Sequence, residues 1–349
     1  MNQKTMKAVV YHGPGNISLD EVPVPQIIKN DDIIVKVTTS TICGTDIHIR
    51  AGGVPTVKPG TVLGHEFCGV VVEAGSGVTE VKIGDRCAIS CVTCCGHCFY
   101  CRKGEFSHCT TGSWQFGHLI NGCQAEYVRV PHANMGVYKI PEGLVDEDVL
   151  FVGDILSTGY FGAERAEITP GDTVAVFGSG PVGMCAMAAA RLWGPACIVA
   201  VDLDDFRLQT ALKQGIADVA FNPSKCNVKE EILKLTEGRG ADATIEAVGV
   251  APTYEMALDC VRYAGVVSLI GVYEKPQELK MNELWIKNIK LSMGLVKTDC
   301  IPALIRLIKS GKINMRFLET HSAPLADILK GYEIFGAKKD SCIKWLVKD

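Results

Sequence analysis

A glycine-rich stretch, Thr173–Asp202, decides the architecture of a large part of this chain. It contains the pattern Gly-x-Gly-x-x-Gly, preceded by an apolar, β-branched run (Thr173–Phe177) and followed by a segment rich in Ala and Met. A second apolar run, Cys197–Val201, ends on an acidic residue. This order predicts a strand, a helix and a second strand, which together form a βαβ unit that binds a dinucleotide.

Each glycine of the pattern has a physical task. Gly178 allows a tight turn, Gly180 lets backbone amides approach a pyrophosphate, and Gly183 lets the helix pack closely on the strand. The N–H groups at the start of the helix then face the phosphates. The alternative is a turn that only joins a strand to a helix. The predicted cofactor-binding residues of this loop are Gly178, Gly180, Pro181, Val182 and Gly183.

Asp202 lies nineteen residues after Gly183, at the end of the second apolar run. An acidic side chain at this position accepts hydrogen bonds from the adenosine ribose of the cofactor. It favours NAD over NADP, because a 2′-phosphate would meet a like charge. The alternative for Asp202 is a solvated acid in a loop.

Composition excludes several classes of protein. The chain has 349 residues, 47% of them hydrophobic, which is enough for two domains with sizeable cores. A net charge of −4 offers no basic surface for nucleic acid or an anionic membrane. We expect a cytoplasmic protein, because no apolar run approaches the length of a membrane span and the N-terminus lacks the apolar core of a signal peptide. The 16 cysteines then indicate thiolate ligands and buried thiols rather than disulfides.

The pattern along the chain predicts an α/β protein with two domains. The first third is β-rich, and near Leu150 an alternation of strands and helices begins, which ends at about residue 292. We expect a catalytic domain of residues 1–154 and 293–349 around an inserted Rossmann domain, a doubly wound parallel sheet, of residues 155–292. Within the Rossmann domain a helix is predicted at Pro252–Tyr263, and the apolar strand Val266–Val272 is a candidate contact in an oligomer.

A cluster of cysteines predicts a structural metal site in a lobe of about residues 91–110. Three thiols at intervals of three residues and a fourth one loop later can surround a tetrahedral zinc ion and leave no position for water. Such a site would fold a lobe that has little apolar content of its own. The predicted ligands are Cys95, Cys98, Cys101 and Cys109. Two upstream cysteines, Cys91 and Cys94, offer a shifted register, and a redox-sensitive or merely buried cysteine cluster is the alternative.

A second set of metal-binding side chains is scattered along the chain. Cys43 lies in Thr-Ile-Cys-Gly-Thr-Asp-Ile-His, His65 in Leu-Gly-His-Glu, and Asp154 where the β-rich region gives way to helix. A thiolate, an imidazole and a carboxylate can hold zinc while a fourth position stays open, as Lewis-acid chemistry on an oxygen requires. Spacing alone does not join these three residues.

One long motif resembles the signature of the zinc-dependent medium-chain alcohol dehydrogenases. The four-cysteine lobe, the glycine loop and Asp202 also fall in that family's order, so the resemblance covers nearly the whole chain. It implies a GroES-like catalytic domain beside the Rossmann domain. The motif is Gly64-His65-Glu66-x-x-Gly69-x5-Gly75-x-x-Val78, followed by Gly84-Asp85-Arg86.

The resemblance implies two zinc ions per chain and a set of catalytic residues. Cys43, His65 and Asp154 match the ligands of the catalytic zinc, and Glu66 matches a carboxylate that approaches the metal when water or substrate exchanges. Better-known members have Cys where this chain has Asp154, which is similar to a bacterial branch that acts on secondary alcohols. Thr45 and His48 match the path by which the proton of the alcohol leaves.

Further positions match the family's cofactor contacts. Thr158 corresponds to a residue that packs near nicotinamide. Arg207 is placed to reach the adenosine ribose, and the alternative for it is a solvated basic side chain. Lys344 lies where the family often has an arginine that contacts the pyrophosphate. Gly44 replaces another basic contact of some members, so the glycine-loop amides would carry more of the phosphate binding.

The expected function is that of an NAD-dependent zinc alcohol dehydrogenase, which interconverts a primary or secondary alcohol and its aldehyde or ketone. A polyol, threonine or formaldehyde dehydrogenase of the same family is an alternative, and a non-catalytic redox sensor that binds NAD(P)H and zinc is another. The partners expected are a small-molecule substrate and further copies of the chain, as a homotetramer or dimer, but neither nucleic acid nor a membrane.

Overall fold

The N-terminal segment folds mainly into strands, as its β-branched runs predict. The computed structural model of the chain describes residues 3–348. The strands of this segment are β1 (Thr5–Gly13), β2 (Asn16–Pro23), β3 (Ile33–Thr41), β4 (Thr61–Val62), β5 (Phe67–Ala74), β6 (Arg86–Ile89), β7 (Val92–Thr93), β8 (Ser113–Trp114), β9 (Tyr127–Val130) and β10 (Val137–Lys139). Its helices are α1 (Gly44–Ala51), α2 (Ala133–Gly136) and α3 (Asp146–Val149).

The central segment alternates between helix and strand, and the C-terminal segment adds two elements of each kind. The central elements are α4 (Ile155–Arg165), β11 (Thr173–Phe177), α5 (Pro181–Ala190), β12 (Cys197–Val201), α6 (Asp205–Lys213), β13 (Val219–Phe221), α7 (Val228–Leu235), β14 (Ala241–Glu246), α8 (Ala251–Cys260), β15 (Val261–Leu269), α9 (Met281–Leu284) and β16 (Lys290–Met293). The last elements are α10 (Ile301–Lys309), β17 (Glu319–Ala323), α11 (Ile328–Gly336) and β18 (Lys344–Lys348). No helix within residues 3–348 is long and apolar enough to cross a membrane.

The chain forms two compact units. The first unit comprises the residues up to Ser157 and those from Val296 onward, and the second unit is Thr158–Leu295. The main sheet of the first unit has the order β10-β6-β5-β3-β18-β17, with β9 also paired to β3. The C-terminal strand β18 runs antiparallel to β3, with Leu346 opposite Thr41. This pairing brings the start of β18 next to the end of β3, where the first candidate metal ligand lies.

The second unit contains a parallel sheet of six strands in the order β13-β12-β11-β14-β15-β16. Its central strands are buried on both faces, which explains their continuous Val, Ile and Ala runs. The strand order reverses between β11 and β14, and ligands of such sheets bind at the carboxyl ends of the strands at this point. The predicted Rossmann architecture is therefore confirmed.

Two details of the second unit differ from the prediction. The helix predicted at Pro252–Tyr263 ends at Cys260, because Val261 already pairs with Ala241 as the first residue of β15. The apolar run Val266–Val272 was also predicted to be an edge strand that contacts a second subunit. The edge position is wrong, because this run belongs largely to β15, which pairs with β14 on one side and β16 on the other. At this end of the sheet the edge is formed by β16 instead.

Candidate active site

Cys43 lies at the junction of β3 and α1, in the first unit. Its backbone is extended, with φ −106° and ψ 160°, and it forms the N-cap of α1. The Cys43 amide donates to Oδ2 of Asp46 at 2.9 Å, so the carboxylate of the first helical turn holds the cap in place. The thiol of Cys43 lies 3.9 Å from the hydroxyl of Thr45, which is also in the first turn.

The other members of the scattered set meet Cys43 in space. His65 and Glu66 directly precede β5, and Asp154 lies between a 3-10 turn (Leu150–Gly153) and α4. One ligand atom each from Cys43, His65, Glu66 and Asp154 lies within 4.8 Å of all the others. His65 Nε2 is 3.2 Å from Asp154 Oδ2, and Cys43 Sγ is 3.8 Å from the same oxygen. The structure thus brings together the three predicted ligands and adds Glu66 to them.

The electrostatics of this site favour a bound cation. Burial raises the pKa of the Cys43 thiol and of the Glu66 carboxyl. Burial alone would lower the pKa of His65, but Asp46 and Asp154 raise it well above its ordinary value. One buried oxygen, Glu66 Oε2, has no hydrogen-bond partner. A sulfur, a ring nitrogen and two carboxylate oxygens are ligands that zinc accepts, so the residues fit this ion.

Lys344, the first residue of β18, lies beside this cluster. Its ammonium donates to Glu66 Oε1 at 2.6 Å and to the carbonyl oxygen of Ile42 at 3.2 Å, and the side chain is buried. Glu66 raises the pKa of Lys344 against the effect of burial. The predicted contact of Lys344 with a pyrophosphate stays a prediction, and the partner that the structure gives it is Glu66.

Sequence reasoning missed two further contacts at this site. Nδ1 of His65 lies 3.3 Å from Oδ1 of Asp46, and the thiol of Cys91 lies 3.6 Å from Oδ1 of Asp154. An acid three residues after Cys43, at the start of a helix, was the available signal for Asp46. Cys91 was considered only as an alternative ligand of the cysteine lobe, and its position beside Asp154 depends on the tertiary fold.

The four predicted thiols of the lobe also meet. The sulfur atoms of Cys95, Cys98, Cys101 and Cys109 lie within 4.8 Å of one another, and the amide of Cys95 donates to Cys109 Sγ at 3.2 Å. The backbone amides of Cys101 and Thr110 lower the pKa of the Cys98 thiol to about 5. All sixteen cysteines of the chain are free. The cluster therefore has the composition and compactness of a closed tetrahedral thiolate site.

The glycine loop of the second unit has the close backbone contacts that its pattern predicts. Gly178 has φ +100°, which favours glycine, and a Cβ added to Gly183 would lie 1.7 Å from the carbonyl oxygen of Gly178. A Cβ on Gly180, in contrast, would meet only the Nη1 of Arg207, at 3.4 Å. Pro181 occupies the first turn of α5, and Val182 follows it. The loop thus has an open approach at Gly180, where a diphosphate would bind.

Asp202 and Arg207 both lie at this loop. Asp202 Oδ2 accepts from the Ser179 amide at 2.6 Å, and its Oδ1 accepts from the Asp204 amide at 2.9 Å. Arg207 is mostly buried, and its Nε lies 3.6 Å from Asp204 Oδ2. The Asp202 carboxylate is thus held by backbone amides, and the Arg207 guanidinium lies beside the carboxylate of Asp204.

The remaining predicted residues lie on two helices. His48 is on α1, three residues after Thr45, and both side chains are partly exposed. Thr158 is on α4, four residues after Asp154, and is the first residue of the second unit. The proximity of Thr158 to nicotinamide stays a prediction.

Comparisons with known proteins cover nearly the whole chain. Residues 29–142 match the family described as alcohol dehydrogenase GroES-like domain, and residues 181–310 match zinc-binding dehydrogenase. An alcohol dehydrogenase of Cupriavidus necator is 39% identical, with 98% of both chains covered. The apo structure of zinc dependent alcohol dehydrogenase 2 from Streptococcus pneumonia is 44% identical, with a TM-score of 0.93 and coverage of 99% and 98%.

A third similar protein has been solved with a dinucleotide bound. It is a protein of Sinorhizobium meliloti 1021 bound to NADP, 29% identical, with a TM-score of 0.89 and coverage of 99% of this chain and 100% of its own. The predicted GroES-like and Rossmann architecture and the predicted oxidoreductase class are confirmed by these similarities. The chain belongs to the zinc-dependent medium-chain alcohol dehydrogenase family.

Proposed function

We propose that this protein oxidises a primary or secondary alcohol to its aldehyde or ketone with NAD, and catalyses the reverse reduction. The observation that carries the proposal is the convergence of Cys43, His65, Glu66 and Asp154 within 4.8 Å in the first unit. Zinc bound by these residues would act as a Lewis acid on the substrate oxygen, and NAD would accept the hydride.

The side chains around this cluster have distinct tasks in the proposal. Cys43, His65 and Asp154 would hold the metal, and Glu66 would approach it when water or substrate exchanges. The pairing with Lys344 supports this role, because the ammonium offers Glu66 a second charged partner within the site. Asp154 keeps some exposure, whereas the other three are buried, so the open side lies next to Asp154.

The proton of the alcohol leaves through Thr45 and His48. The Thr45 hydroxyl, 3.9 Å from Cys43 Sγ, accepts it, and the His48 imidazole on the next turn of α1 takes it toward solvent. Imidazole suits this step because its pKa is near neutrality in water.

The second unit binds the cofactor. The amides at the start of α5 hold the diphosphate, and Asp202 accepts hydrogen bonds from the adenosine ribose. The carboxylate of Asp202 is fixed at the loop by the amides of Ser179 and Asp204. This supports NAD as the preferred cofactor, because a negative charge there would repel the 2′-phosphate of NADP. Arg207, near Gly180, is a candidate partner for either the ribose or the diphosphate.

The direct test replaces one ligand of the cluster formed by Cys43, His65, Glu66 and Asp154, the open cluster. Cys43→Ala should lower the zinc content from two ions per chain to one and abolish alcohol oxidation, while NADH still binds, as measured by its fluorescence. Cys226→Ala, whose thiol lies outside both clusters and contacts the Asn222 carbonyl, should keep two zinc ions and full activity. Near-normal turnover of the Cys43 variant would refute the proposal.

A panel of substrates separates the proposed activity from its relatives. Simple alcohols, polyols, 3-hydroxy amino acids and formaldehyde are assayed with NAD and with NADP. A kcat/KM highest for polyols, threonine or formaldehyde would replace the proposed substrate class by one of these. Binding of zinc and NADH without turnover of any of them would indicate the redox sensor.

We further propose a homo-oligomer, a tetramer or dimer. The edge strand β16 ends at Met293, and exposed apolar side chains lie near it in the chain, among them Met281, Trp285 and Leu295. An exposed edge with such side chains is suited to pairing with a second copy. Light scattering of the wild type and of Met293→Lys tests this, since a monomeric wild type would contradict it.

A further inference from the structure

A chain of buried polar side chains leads from helix α11 to the candidate zinc ligand His65. The Tyr332 hydroxyl donates to Gln124 Oε1 at 2.6 Å, and Gln124 Nε2 donates to Asp46 Oδ2 at 3.0 Å. Asp46 Oδ1 then lies 3.3 Å from His65 Nδ1. The exposed fractions of Tyr332, Gln124, Asp46 and His65 are 1%, 0%, 0% and 3%. Side chains buried to this degree retain their hydrogen bonds because no water can replace them.

The chemistry of its two ends fixes the direction of this chain. A buried carboxylate that already accepts from the Cys43 amide needs donors, so Gln124 must turn its NH2 group toward Asp46. The tyrosine hydroxyl then has the amide oxygen as its acceptor. A reversed amide would set an oxygen against the carboxylate and leave the Tyr332 proton without an acceptor. Tyr332 therefore selects the orientation of Gln124 that supports Asp46.

The backbone around Gln124 holds it in this place. Its amide donates to the carbonyl of Leu63 at 2.9 Å, and its own carbonyl accepts from the Val9 amide at 2.8 Å. Gly64, directly before His65, has φ +94°, and a Cβ there would lie 2.6 Å from Gln124 Cγ. The glutamine side chain thus packs against the backbone of the segment that carries His65.

We propose that Gln124 and Tyr332 are positioning residues of the catalytic metal site. With Oδ2 of Asp46 held by two donors, its Oδ1 stays turned toward Nδ1 of His65, although their present geometry lies outside that of a regular hydrogen bond. An acceptor beside Nδ1 of His65 keeps the proton of the neutral ring on Nδ1. The lone pair of Nε2 is then available to a metal. Nε2 lies 3.2 Å from Oδ2 of Asp154, a second candidate ligand. This inference rests on the proposed function, because it concerns the same site.

The test measures release of zinc to a chelator from the intact protein, with the zinc of the cysteine lobe as the internal control. Outer partners of a ligating histidine change metal affinity about 10- to 100-fold. Gln124→Met, similar in size but without hydrogen-bonding groups, should weaken binding at the open site about tenfold, and Tyr332→Phe should weaken it less, by a few-fold. Tyr254→Phe, a buried tyrosine of the second unit, should leave both sites unchanged. Cobalt substituted at the open site should show a shifted visible absorption band in the Gln124 variant.

Each outcome decides between specific explanations. Wild-type zinc release and an unchanged cobalt spectrum in both variants would overturn the inference while the proposed function stands. Equal loss of zinc from the lobe would show general destabilisation, which also overturns it. If Gln124→Met does not fold, Tyr332→Phe provides the same comparison. Failure of the proposed function is recognised separately, by near-normal turnover of Cys43→Ala or by a wild type that turns over none of the substrates in the panel.

Discussion

The ammonium group of Lys344 lies 2.6 Å from Glu66 Oε1 in the interior of the first unit, where the exposed fractions of the two side chains are 1% and 0%. The Lys344 ammonium also donates to the carbonyl of Ile42, next to Cys43, so the pair connects the start of β18 with the residues that carry two candidate ligands. A buried charge of this kind depends on its partner, because neither can turn to water.

Removing Lys344 should therefore be costly. We expect Lys344→Met to lower the free energy of unfolding by about 3–5 kcal/mol, since it leaves the Glu66 carboxylate buried without its cation. Urea denaturation of the zinc-loaded protein measures this. Lys348→Met serves as the control, because Lys348 is partly exposed and pairs with Glu147 at 2.9 Å, and it should cost less than about 1 kcal/mol. Equal losses in the two variants would contradict a special role of the buried pair.

The cysteine lobe should depend on its metal, independently of the open site. Cys101→Ala removes a buried thiol of the four-sulfur cluster, and we expect it to lose one zinc ion and to make residues 95–109 sensitive to protease. The zinc of the open cluster should remain. Metal analysis and mass spectrometry of the digest measure both effects, with Cys226→Ala as the matched control. Retention of two zinc ions by Cys101→Ala would show that this thiol is not a ligand.

The sequence predicted the metal-binding and cofactor-binding motifs better than the side chains that contact them. The glycine loop and the four-cysteine cluster depend on residues close together in the chain, so local spacing was sufficient to identify them. Cys43, His65 and Asp154 could be joined only through the family resemblance, because 111 residues separate Cys43 from Asp154. The partners of Lys344 and Cys91 were not predictable, since they depend on the pairing of β18 with β3 and on the turn before Asp154.

Buried polar residues explain most of what sequence reasoning missed. Gln124 and Tyr332 are 208 residues apart and have no motif in common, and Asp46 carries the only local signal of the three. The apolar strand β15 shows the opposite failure: its hydrophobicity was correctly recognised, but hydrophobicity alone does not say whether a neighbouring strand or a second subunit covers it.

The proposed preference for NAD should depend on the charge of Asp202. We expect Asp202→Ala to raise the KM for NAD about 10- to 100-fold, which corresponds to the loss of hydrogen bonds to a charged group. The ratio of kcat/KM with NAD to kcat/KM with NADP should also fall. Values of kcat/KM for both cofactors measure this. Asp205→Asn changes a nearby acid that is paired with Lys225 and Asn222, and it should leave both values unchanged. An unaltered KM for NAD in the Asp202 variant would remove this residue from the ribose site.

Glu147 should contribute to stability in a pH-dependent way. Burial would raise the pKa of Glu147, but the Lys348 ammonium lowers it below its ordinary value. A depressed pKa in the folded state means that the contribution is present above the unfolded pKa of about 4.5 and is lost as the pH falls through the folded value. Glu147→Gln should thus reduce stability at pH 7 by less than about 1 kcal/mol, and this loss should shrink as the pH falls below about 4.5. Denaturation curves between pH 7 and 3 test the difference, and a loss that is constant with pH would contradict the ionic origin.

Glu246, at the carboxyl end of β14, should stabilise the glycine loop through the turn that follows β14. Its Oε1 accepts from the amides of Val248 and Gly249 at 2.9 Å each and from the Thr253 hydroxyl at 2.7 Å. Its Oε2 accepts from the hydroxyl of Tyr273 at 2.5 Å. The carboxylate is fully buried, so it fixes the turn after β14. This turn contacts the glycine loop, since a Cβ on Gly178 would lie 2.4 Å from Val248.

Replacing this acceptor should loosen the turn and the glycine loop together. Glu246→Gln keeps one oxygen for the amides but sets an NH2 group against the tyrosine hydroxyl, and we expect a loss of about 1–3 kcal/mol in stability and weaker NADH binding. The smaller change Tyr273→Phe should cost about 1 kcal/mol, because only one hydrogen bond is removed. Zinc content should not change in either variant, since both residues lie in the second unit and the candidate ligands in the first. NADH fluorescence titration, thermal unfolding and metal analysis measure the three effects, and NADH binding equal to wild type in Glu246→Gln would show that the turn does not support the loop.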